Sequence, residues 1–404
     1  MRILIINSYY YPNMIGGTEH SLKLLAEGLT AIGHDVCIYS IDNLESDELI
    51  YENINEVNIF RGLAGLYDMK AKMRITKSRF KLWRNKIIEI NNRGAVEELE
   101  MVIERFKPDI IHTNNLFGIS AFIWKVIKLK GIPIIHTLRD YWMITPTYSL
   151  DYMKKNKFLN SMHKIYQWHY RRLSRFVDAV TAPSQFTLDK FIEYGYFSES
   201  KHVKISNCVE IDYSEMRDII KKRNASNSNT IGFIFVGSLI PIKGIDKLIS
   251  TFMDIKNENI SLTICGSGSL KDKILEACKL DNRIKYLGQL KESQLREVFL
   301  KNDVLIIPSV FDEPFGRVVI EANLYGLPVI GSRKGGIVEI INNIKSGVLF
   351  DIEDKNDFKE KIKLFSSRSY IKSFYPAILN GIHKYSLEEQ IKEFLSLYSL
   401  ILNV

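Results

Sequence analysis

The feature of this 404-residue chain that most constrains its fold is a strand, turn, glycine and helix pattern that occurs twice. Each copy starts with a short run rich in Ile and Val, passes through a turn that contains proline, reaches a glycine and continues with helical spacing. Strands that alternate with helices predict a parallel sheet with helices on both faces, so two copies predict two such sheets. The copies run through Ile3–Asn7, Pro12, Gly16, Gly17 and Thr18–Leu29, and through Ile231–Val236, Pro241, Gly244 and Ile245–Phe252.

Short apolar runs between turn residues predict the individual strands. Parallel strands are buried on both faces and are therefore expected to be apolar throughout, as most of these runs are. The predicted strands are Ile3–Ile6, Asp35–Tyr39, Ile110–His112, Ile132–Thr137 and Ala179–Ala182 in the first half, and Ile231–Val236, Ser261–Cys265, Arg283–Leu287, Val304–Ile307 and Val329–Gly331 in the second.

A polar run between the two halves predicts the domain boundary. Residues 221–229 are basic or small and polar, which is typical of a linker. We therefore expect an N-terminal domain over 1–206, a linker region over 207–229 and a C-terminal domain over 230–386. Ser386 and Glu389 have capping-box spacing, and apolar residues then recur at helical spacing, which predicts a C-terminal helix over 387–404. We expect this helix to pack back toward the N-terminal domain.

Composition favours an ordinary folded protein in a reducing compartment. The chain is 46% hydrophobic and 25% charged, so disorder is not expected. Its four cysteines form no C-x-x-C pair, and no apolar stretch is long enough to span a bilayer or to serve as a signal-peptide core. The expected location is the cytoplasm. A net charge of +8 favours anionic partners, such as nucleic acid, acidic lipid or a phosphorylated small molecule.

The best candidates for ligand binding follow predicted strands, where ligands bind in sheets of this kind. Gly16 and Gly17 precede a helix, and their backbone N–H groups could approach an anion there; a tight turn is the alternative. Lys243, in the corresponding loop of the second half, could reach a diphosphate; a solvated surface lysine is the alternative.

The most informative segment runs from Glu313 to Glu321 and contains the start of a helix. Its two carboxylates lie in the loop and within the helix, so both could face one cleft. The backbone amides of Phe315 to Val318 lie at the predicted helix N-terminus, where a phosphate is stabilised. The carboxylates are suited to accept hydrogen bonds from sugar or ribose hydroxyls. Glu321 stands among apolar residues, where a buried carboxylate needs partners.

These residues resemble the retaining glycosyltransferases of family 4, the group 1 glycosyltransferases, and the similarity covers nearly the whole chain in the same order. The glutamate pair followed by Gly326-Leu327-Pro328-Val329-Ile330 is specific, whereas Gly16-Gly17 alone is weak. The matching segments are Gly16, Gly17 and Glu19; 33–36; 108–112; 137–142; 182–184; 235–239; Lys243 and Gly244; 313–330; and 335–339.

The resemblance implies a GT-B fold, in which two Rossmann-like, doubly wound parallel-sheet domains face a central cleft. It also implies roles for twelve residues. Glu313 would contact the donor sugar, with Arg139 and Asp140 near the reacting carbon or the acceptor. The donor-binding residues would be Gly16, Gly17, Ser238, Lys243, Phe315, Gly316, Arg317, Val318 and Glu321, with Glu321 on the ribose and Lys243 on the diphosphate.

Three positions depart from the family pattern. Ser238 stands where the family usually has Arg, so one phosphate partner is missing, and Arg317 or Arg333 could substitute. Arg139 stands where many members have His, and a fixed cation cannot act as a base. The usual Asn-Gly-Val-Asp turn reads Asn207-Cys208-Val209-Glu210, which we interpret as structural.

The resemblance implies retention of configuration, with the leaving diphosphate helping to deprotonate the acceptor. The chain contains no Asp-x-Asp triplet, so we expect no metal and no cofactor. We expect His112 and His136 to be structural rather than catalytic. The expected substrates are a nucleotide-sugar and a saccharide or lipid-linked acceptor, such as a precursor of capsule, O-antigen or exopolysaccharide.

Two other functions stay open from the sequence. A nucleotide-sugar epimerase or phosphorylase on the same fold would need an acid/base pair or a cofactor lysine, and neither is evident. A nucleic-acid-binding protein would need stacking aromatics within its basic run, which has only Phe80 and Trp83.

A basic segment between Met69 and Lys86 predicts a peripheral membrane contact. It carries eight Lys and Arg residues and no acid, with apolar residues between them. The expected partner is the inner face of the plasma membrane; a solvated basic face is the alternative.

Overall fold

Two parallel sheets, each covered by helices, form the framework of the protein. The computed structural model describes residues 1–14, 16–42, 48–63, 90–145 and 157–403, with only the backbone described for 157–162. The chain divides into two units. The first contains Met1–Cys208 and Leu387–Val404, and the second contains Val209–Ser386.

The sheet of the first unit has eight strands in the order β3-β4-β2-β1-β5-β6-β7-β8. All neighbouring pairs are parallel except β3 and β4, which form an antiparallel hairpin at one edge. Its strands are β1 (Arg2–Ile6), β2 (Asp35–Ser40), β3 (Ile50–Ile54), β4 (Val57–Arg61), β5 (Ile110–Thr113), β6 (Ile134–Thr137), β7 (Ala179–Ala182) and β8 (Lys201–Lys204).

Alternate side chains of the central strand β1 pack into the hydrophobic cores on opposite faces of this sheet. Leu4 and Ile6 pack in one hydrophobic cluster, and Ile3 and Ile5 pack in the other. Successive residues of a strand point to opposite faces, so an uninterrupted apolar run is what a sheet covered on both sides requires. The helices of this unit are α1 (Gly17–Ala31), α2 (Arg93–Phe106), α3 (Ile123–Leu129), α4 (Lys157–Ser174), α5 (Gln185–Glu193) and, from the C-terminal end of the chain, α15 (Leu387–Leu402).

The C-terminal helix α15 packs in the first unit, beside α1. Phe394 and Tyr398 are buried in the same cluster as Ile3 and Ile5. A Cβ atom on Gly28 of α1 would lie 2.5 Å from Cδ1 of Ile391, so the absence of a side chain allows the two helices to approach closely.

The sheet of the second unit has six parallel strands in the order β11-β10-β9-β12-β13-β14, and one hydrophobic cluster spans the unit. Its strands are β9 (Ile231–Val236), β10 (Ile260–Cys265), β11 (Ile284–Gly288), β12 (Val304–Ile307), β13 (Val329–Ser332) and β14 (Gly347–Phe350). Its helices are α6 (Tyr213–Ala225), α7 (Ile245–Met253), α8 (Lys271–Leu280), α9 (Glu292–Lys301), α10 (Arg317–Leu324), α11 (Gly336–Ile344), α12 (Lys355–Leu364), α13 (Arg368–Lys372) and α14 (Tyr375–Gly381), with single 3₁₀ turns at Pro241–Lys243 and Ile382–Tyr385.

The linker predicted over 207–229 is wrong for most of its length, because α6 occupies its centre. Asp212 caps this helix by accepting hydrogen bonds from the backbone of Ser214 and Glu215. Met216 and Ile220 are buried on its inner face. Arg223 is buried too, and its guanidinium donates to the carbonyl oxygens of Tyr325 and Phe299 at 2.7 and 2.9 Å. A few apolar residues at helical spacing are sufficient to anchor a helix whose other residues are mostly polar.

Four strands were not predicted: the hairpin of β3 and β4, and the short strands β8 and β14. Three of the four, β3, β8 and β14, lie at sheet edges. An edge strand needs little apolar character, as the half-exposed Lys-His-Val-Lys of β8 illustrates.

The basic segment over 69–86 lies outside the described residues. Within the part of the chain that the structure describes, no helix is both long and apolar enough to cross a membrane.

Candidate functional site

The candidate site of the second unit is built where three neighbouring strands end. The strands β9, β12 and β13 end at Val236, Ile307 and Ser332, and the loops that follow pack against each other. The backbone N–H of Val310 donates to the carbonyl oxygen of Ile242 at 2.9 Å. Ser332 Oγ donates to the carbonyl oxygen of Ser309 at 2.7 Å.

Two glycines permit this close packing of loops. Gly244 has φ +69°, and a Cβ atom there would lie 1.8 Å from the carbonyl oxygen of Pro308. Gly335 has φ +57°, and its Cβ atom would lie 2.2 Å from the carbonyl oxygen of Glu313. Any other residue would be strained and would collide with backbone atoms. The glycines therefore hold Lys243 and Glu313 in fixed positions.

Glu313 and Lys243, predicted as separate ligand contacts, form an ion pair. Lys243 Nζ lies 2.6 Å from Glu313 Oε1, and Ser309 Oγ donates to the same oxygen at 2.6 Å. Lys243 Nζ also lies 4.7 Å from the centre of the Phe311 ring. Glu313 is 9% exposed, so its carboxylate needs these partners. Ser309 was not predicted from the sequence; its position two residues after the end of β12 was the available signal.

A second ion pair lies on α10. Arg317 Nε donates to Glu321 Oε1 at 2.6 Å, one helical turn apart. Gly316 precedes the helix with φ +97°, and Phe315 is buried with its ring 6.0 Å from that of Tyr385. Val318 packs against the core. The first backbone N–H groups of a helix have no partner within the helix, so this end favours an anion.

Ser238 lies apart from these pairs, at a cavity of about 180 Å³ beside the ends of β9 and β10. Ser267 Oγ donates to Gln289 Oε1 at 3.0 Å on its wall. Gly266 has φ +140°, and a Cβ atom would lie 1.8 Å from the carbonyl oxygen of Gly237. This cavity was not predicted from the sequence, although the Gly266-Ser267-Gly268 segment directly after β10 indicated a close approach of the backbone. The lining residues are Val236, Gly237, Ser238, Cys265, Gly266, Ser267, Gln289, Leu290 and Leu295.

In the first unit, Gly16 caps α1, the helix that follows β1 in the chain, and Gly17 is its first residue. Gly16 has extended backbone, and its N–H donates to Glu19 Oε2 at 2.8 Å. A carboxylate at this end of a helix is stabilised by the same N–H groups that would favour a phosphate. Glu19 is 4% exposed and therefore fixes the start of the helix from within.

Arg139 follows β6 and is held by two asparagine side chains. Its Nε and Nη2 donate to Asn114 Oδ1 at 3.0 and 2.8 Å, and its Nη1 donates to Asn207 Oδ1 at 2.6 Å. Asn207 was interpreted as part of a structural turn, yet its side chain contacts a predicted site residue. Asp140 Oδ1 accepts from the backbone N–H of Trp142 at 2.9 Å.

His112 and His136 are buried and hydrogen-bonded, as a structural role requires. His112 is fully buried; its Nδ1 lies 2.7 Å from the Tyr398 hydroxyl and its Nε2 lies 2.7 Å from Thr137 Oγ1. Burial, reinforced by the charge of Arg139, holds the pKa of His112 well below its ordinary value and lowers the pKa of His136 to about 3. Both rings are neutral at physiological pH.

The twelve predicted site residues divide between the two units. Gly16, Gly17, Arg139 and Asp140 belong to the first, where β5 separates β1 from β6 in the sheet. The other eight belong to the second, where the structure pairs Lys243 with Glu313 and Arg317 with Glu321 but places Ser238 at the separate cavity. Among the described residues, no group of three or more His, Cys, Asp or Glu side chains could hold a metal ion.

Comparison with known proteins identifies the family. Residues 15–213 match the model of Glycosyltransferase Family 4, and residues 216–373 match that of Glycosyl transferases group 1. An uncharacterized 42.6 kDa protein in the cps region of Klebsiella pneumoniae is 30% identical over 92% of this chain and 96% of its own length.

Solved structures share the fold at low sequence identity. Sucrose-phosphate synthase from Thermosynechococcus elongatus superimposes with a TM-score of 0.76 and 18% identity, over 99% of this chain and 98% of that one. HepE from Anabaena, in complex with UDP-glucose, superimposes with a TM-score of 0.66 and 18% identity, over 98% of this chain and 99% of that one. The chain therefore belongs to the group 1 glycosyltransferases and has the GT-B fold.

Proposed function

We propose that this glycosyltransferase moves a sugar from a nucleotide-sugar to a saccharide or lipid-linked acceptor, with retention of configuration and without a metal or other cofactor. The observation that carries the proposal is the arrangement at one sheet edge, where Lys243 is paired with the buried Glu313 and α10 begins nearby with Glu321 in its second turn. This arrangement offers a cation, an anion-stabilising helix end and carboxylate acceptors for hydroxyl groups.

Each part of this edge has a proposed role in donor binding. Lys243 and the first amides of α10, from Phe315 to Val318, would neutralise the diphosphate without a metal. Glu313 would accept hydrogen bonds from the sugar, and Glu321 from the ribose. The separate cavity beside Ser238, at the ends of β9 and β10, would take the nucleotide base. HepE, which was crystallised with UDP-glucose, supports a donor of this class.

The first unit would supply the remaining groups. We assign Gly16 and Gly17 to the loop that would close over the phosphates, and Arg139 and Asp140 as groups near the reacting carbon or the acceptor. Arg139 stays protonated at physiological pH, so it would stabilise negative charge rather than remove a proton. The leaving diphosphate would help to deprotonate the acceptor, and the protein would contribute positioning and charge stabilisation.

The proposed acceptor belongs to surface-polysaccharide assembly in the cytoplasm, at the inner face of the plasma membrane. The relative in a cps region supports this pathway. The basic segment over 69–86 would contribute to membrane attachment. It contains eight cations and no acid, and the net charge of the whole chain is +8, so the charges of the rest of the chain sum to zero.

A thermal-shift panel of UDP-, GDP- and ADP-sugars, followed by a transfer assay with and without EDTA, tests this function. We expect one nucleotide series to raise the melting temperature and transfer to continue in EDTA. Loss of transfer in EDTA that Mg²⁺ or Mn²⁺ restores would disprove the metal-independent mechanism. Stabilisation by oligonucleotides instead would favour nucleic-acid binding, and interconversion of nucleotide-sugars without an acceptor would favour an epimerase.

A further inference from the structure

Helix α4 of the first unit exposes large apolar side chains on its outer face. Ile165 is 70% exposed and Trp168 is 56% exposed. The other two described tryptophans, Trp124 and Trp142, are 0% and 5% exposed. The inner face of the helix is buried through residues such as Gln167 and Tyr170 and therefore anchors α4 to the unit.

Cations surround the exposed tryptophan. Lys164 and Arg172 are exposed, and the Arg172 guanidinium carbon lies 5.7 Å from the centre of the Trp168 ring. Arg171 falls on the same side: at 100° per residue, Lys164, Arg171 and Arg172 lie with Ile165 and Trp168 within about 120° of the helix circumference. Arg175 follows directly after the last residue of the helix. Arg175 lies 3.7 Å from Glu199, which is itself exposed.

The helix itself contains no acidic residue over its 18 positions. The outer face therefore combines positive charge with an aromatic ring and a β-branched side chain, neither of which is buried by the part of the chain that the structure describes. Tryptophan favours the boundary between water and hydrocarbon, and Lys and Arg reach anionic headgroups while their aliphatic stems cover apolar surface.

We propose that this face, composed of Lys164, Ile165, Trp168, Arg171 and Arg172, docks on the surface of a membrane that contains anionic lipid. A second copy of the chain is a poorer occupant, because a symmetric contact would place these cations against their own copies. The docking surface is separate in sequence from the segment over 69–86, and it does not depend on the assignment of donor or acceptor.

Two membrane measurements test the proposal on the full-length protein. The first is co-sedimentation with vesicles of phosphatidylglycerol and phosphatidylcholine, compared with vesicles of phosphatidylcholine alone. The second is quenching of tryptophan fluorescence by brominated phosphatidylglycerol in the wild type and in Trp168→Phe. Because the two proteins differ only in Trp168, the difference between their spectra reports that ring and excludes Trp83.

We expect binding to anionic vesicles only, and the Trp168 component should be quenched. Lys164→Gln/Arg172→Gln should lower the partition coefficient about 30-fold, since each cation near an anionic surface contributes about fivefold. The matched control, Lys221→Gln/Lys222→Gln, changes two exposed lysines on α6 and should bind as the wild type does. Melting temperatures of all variants should be unchanged.

Three results would overturn the proposal. One is an unquenched Trp168 component, and another is equal binding by the Lys164/Arg172 variant and its control. The third is a change of oligomeric state on Ile165→Ser without any vesicle binding, which would identify a protein interface instead. Failure of the sugar-transfer assay would leave these membrane measurements unaffected, so the two proposals fail separately.

Discussion

Lys243 Nζ lies 2.6 Å from Glu313 Oε1, and this ion pair joins two loops that are 70 residues apart in the chain. A cation that would face the donor diphosphate is therefore held by the carboxylate that would face the donor sugar. Any change to one of these residues therefore alters the environment of the other.

Lys243→Ala and Glu321→Ala should each weaken use of the donor. Each loses a hydrogen bond to a charged group, which costs about 1.5–3 kcal/mol, or roughly 10- to 150-fold in kcat/KM for the donor. Lys247→Ala is the control, because Lys247 lies on α7 and pairs with the exposed Glu353. Steady-state kinetics with varied donor measure the effect. Changes below about twofold in both variants would refute the site assignment.

Arg139→Lys should lower kcat/KM by about 10- to 100-fold although it keeps the charge. An ammonium group cannot reproduce the three hydrogen bonds that the guanidinium donates to Asn114 and Asn207. The exposed Arg105→Lys is a matched control in the same unit. A guanidinium stays protonated throughout the pH range of an enzyme assay. The pH profile of kcat/KM for the wild type should therefore show no titration step near pH 6.5 from Arg139. Full activity of Arg139→Lys would contradict the predicted role.

Stability should fall as the pH drops below about 6.5, because the buried His136 must remain neutral in the folded state. Its pKa is lowered to about 3 by burial and by Arg139, whereas an unfolded histidine titrates near 6.5. The unfolded chain therefore binds more protons between these values, and His136 alone should cost about 2 kcal/mol by about pH 5. Urea unfolding at several pH values measures this slope. His136→Gln should reduce the slope, the exposed His383→Gln should not, and equal slopes in all three proteins would refute the assignment.

Gly244→Ala should destabilise the second unit far more than Gly288→Ala. Both glycines have positive φ, at +69° and +76°, so both substitutions add backbone strain of about 1–2 kcal/mol. Only at Gly244 would the new Cβ atom collide with a backbone oxygen, that of Pro308, while the space around Gly288 is open. Urea unfolding and nucleotide-sugar binding should both separate the two variants. Equal stability losses would show that loop packing around Lys243 tolerates the added methyl group.

Local sequence patterns determined much of this architecture. Ile231–Val236, Val304–Ile307 and Ala179–Ala182 were predicted with the bounds that the structure has, because a buried parallel strand requires a continuous apolar run. The positions of Lys243, Glu313 and Arg139 after strands were also readable, since turn residues and helix starts are encoded within a few residues.

The tertiary structure alone decided which side chains meet. The pairs Lys243–Glu313 and Arg139–Asn207 are 70 and 68 residues apart, and His112 and Tyr398 are 286 apart. The edge strands β3 and β8 and the helix α6 were missed because polar residues interrupt or outnumber their apolar ones, whereas β14 (Gly-Val-Leu-Phe) is apolar and was not recognised. The spacing of apolar residues indicates which face of a helix or strand is buried. Contacts between distant segments depend instead on which strands are neighbours in the sheet and on where those strands end. For that reason the sequence determined the two sheets and the types of residue at their edges, and only the folded chain determined that Lys243 is bound to Glu313 and that asparagines hold Arg139.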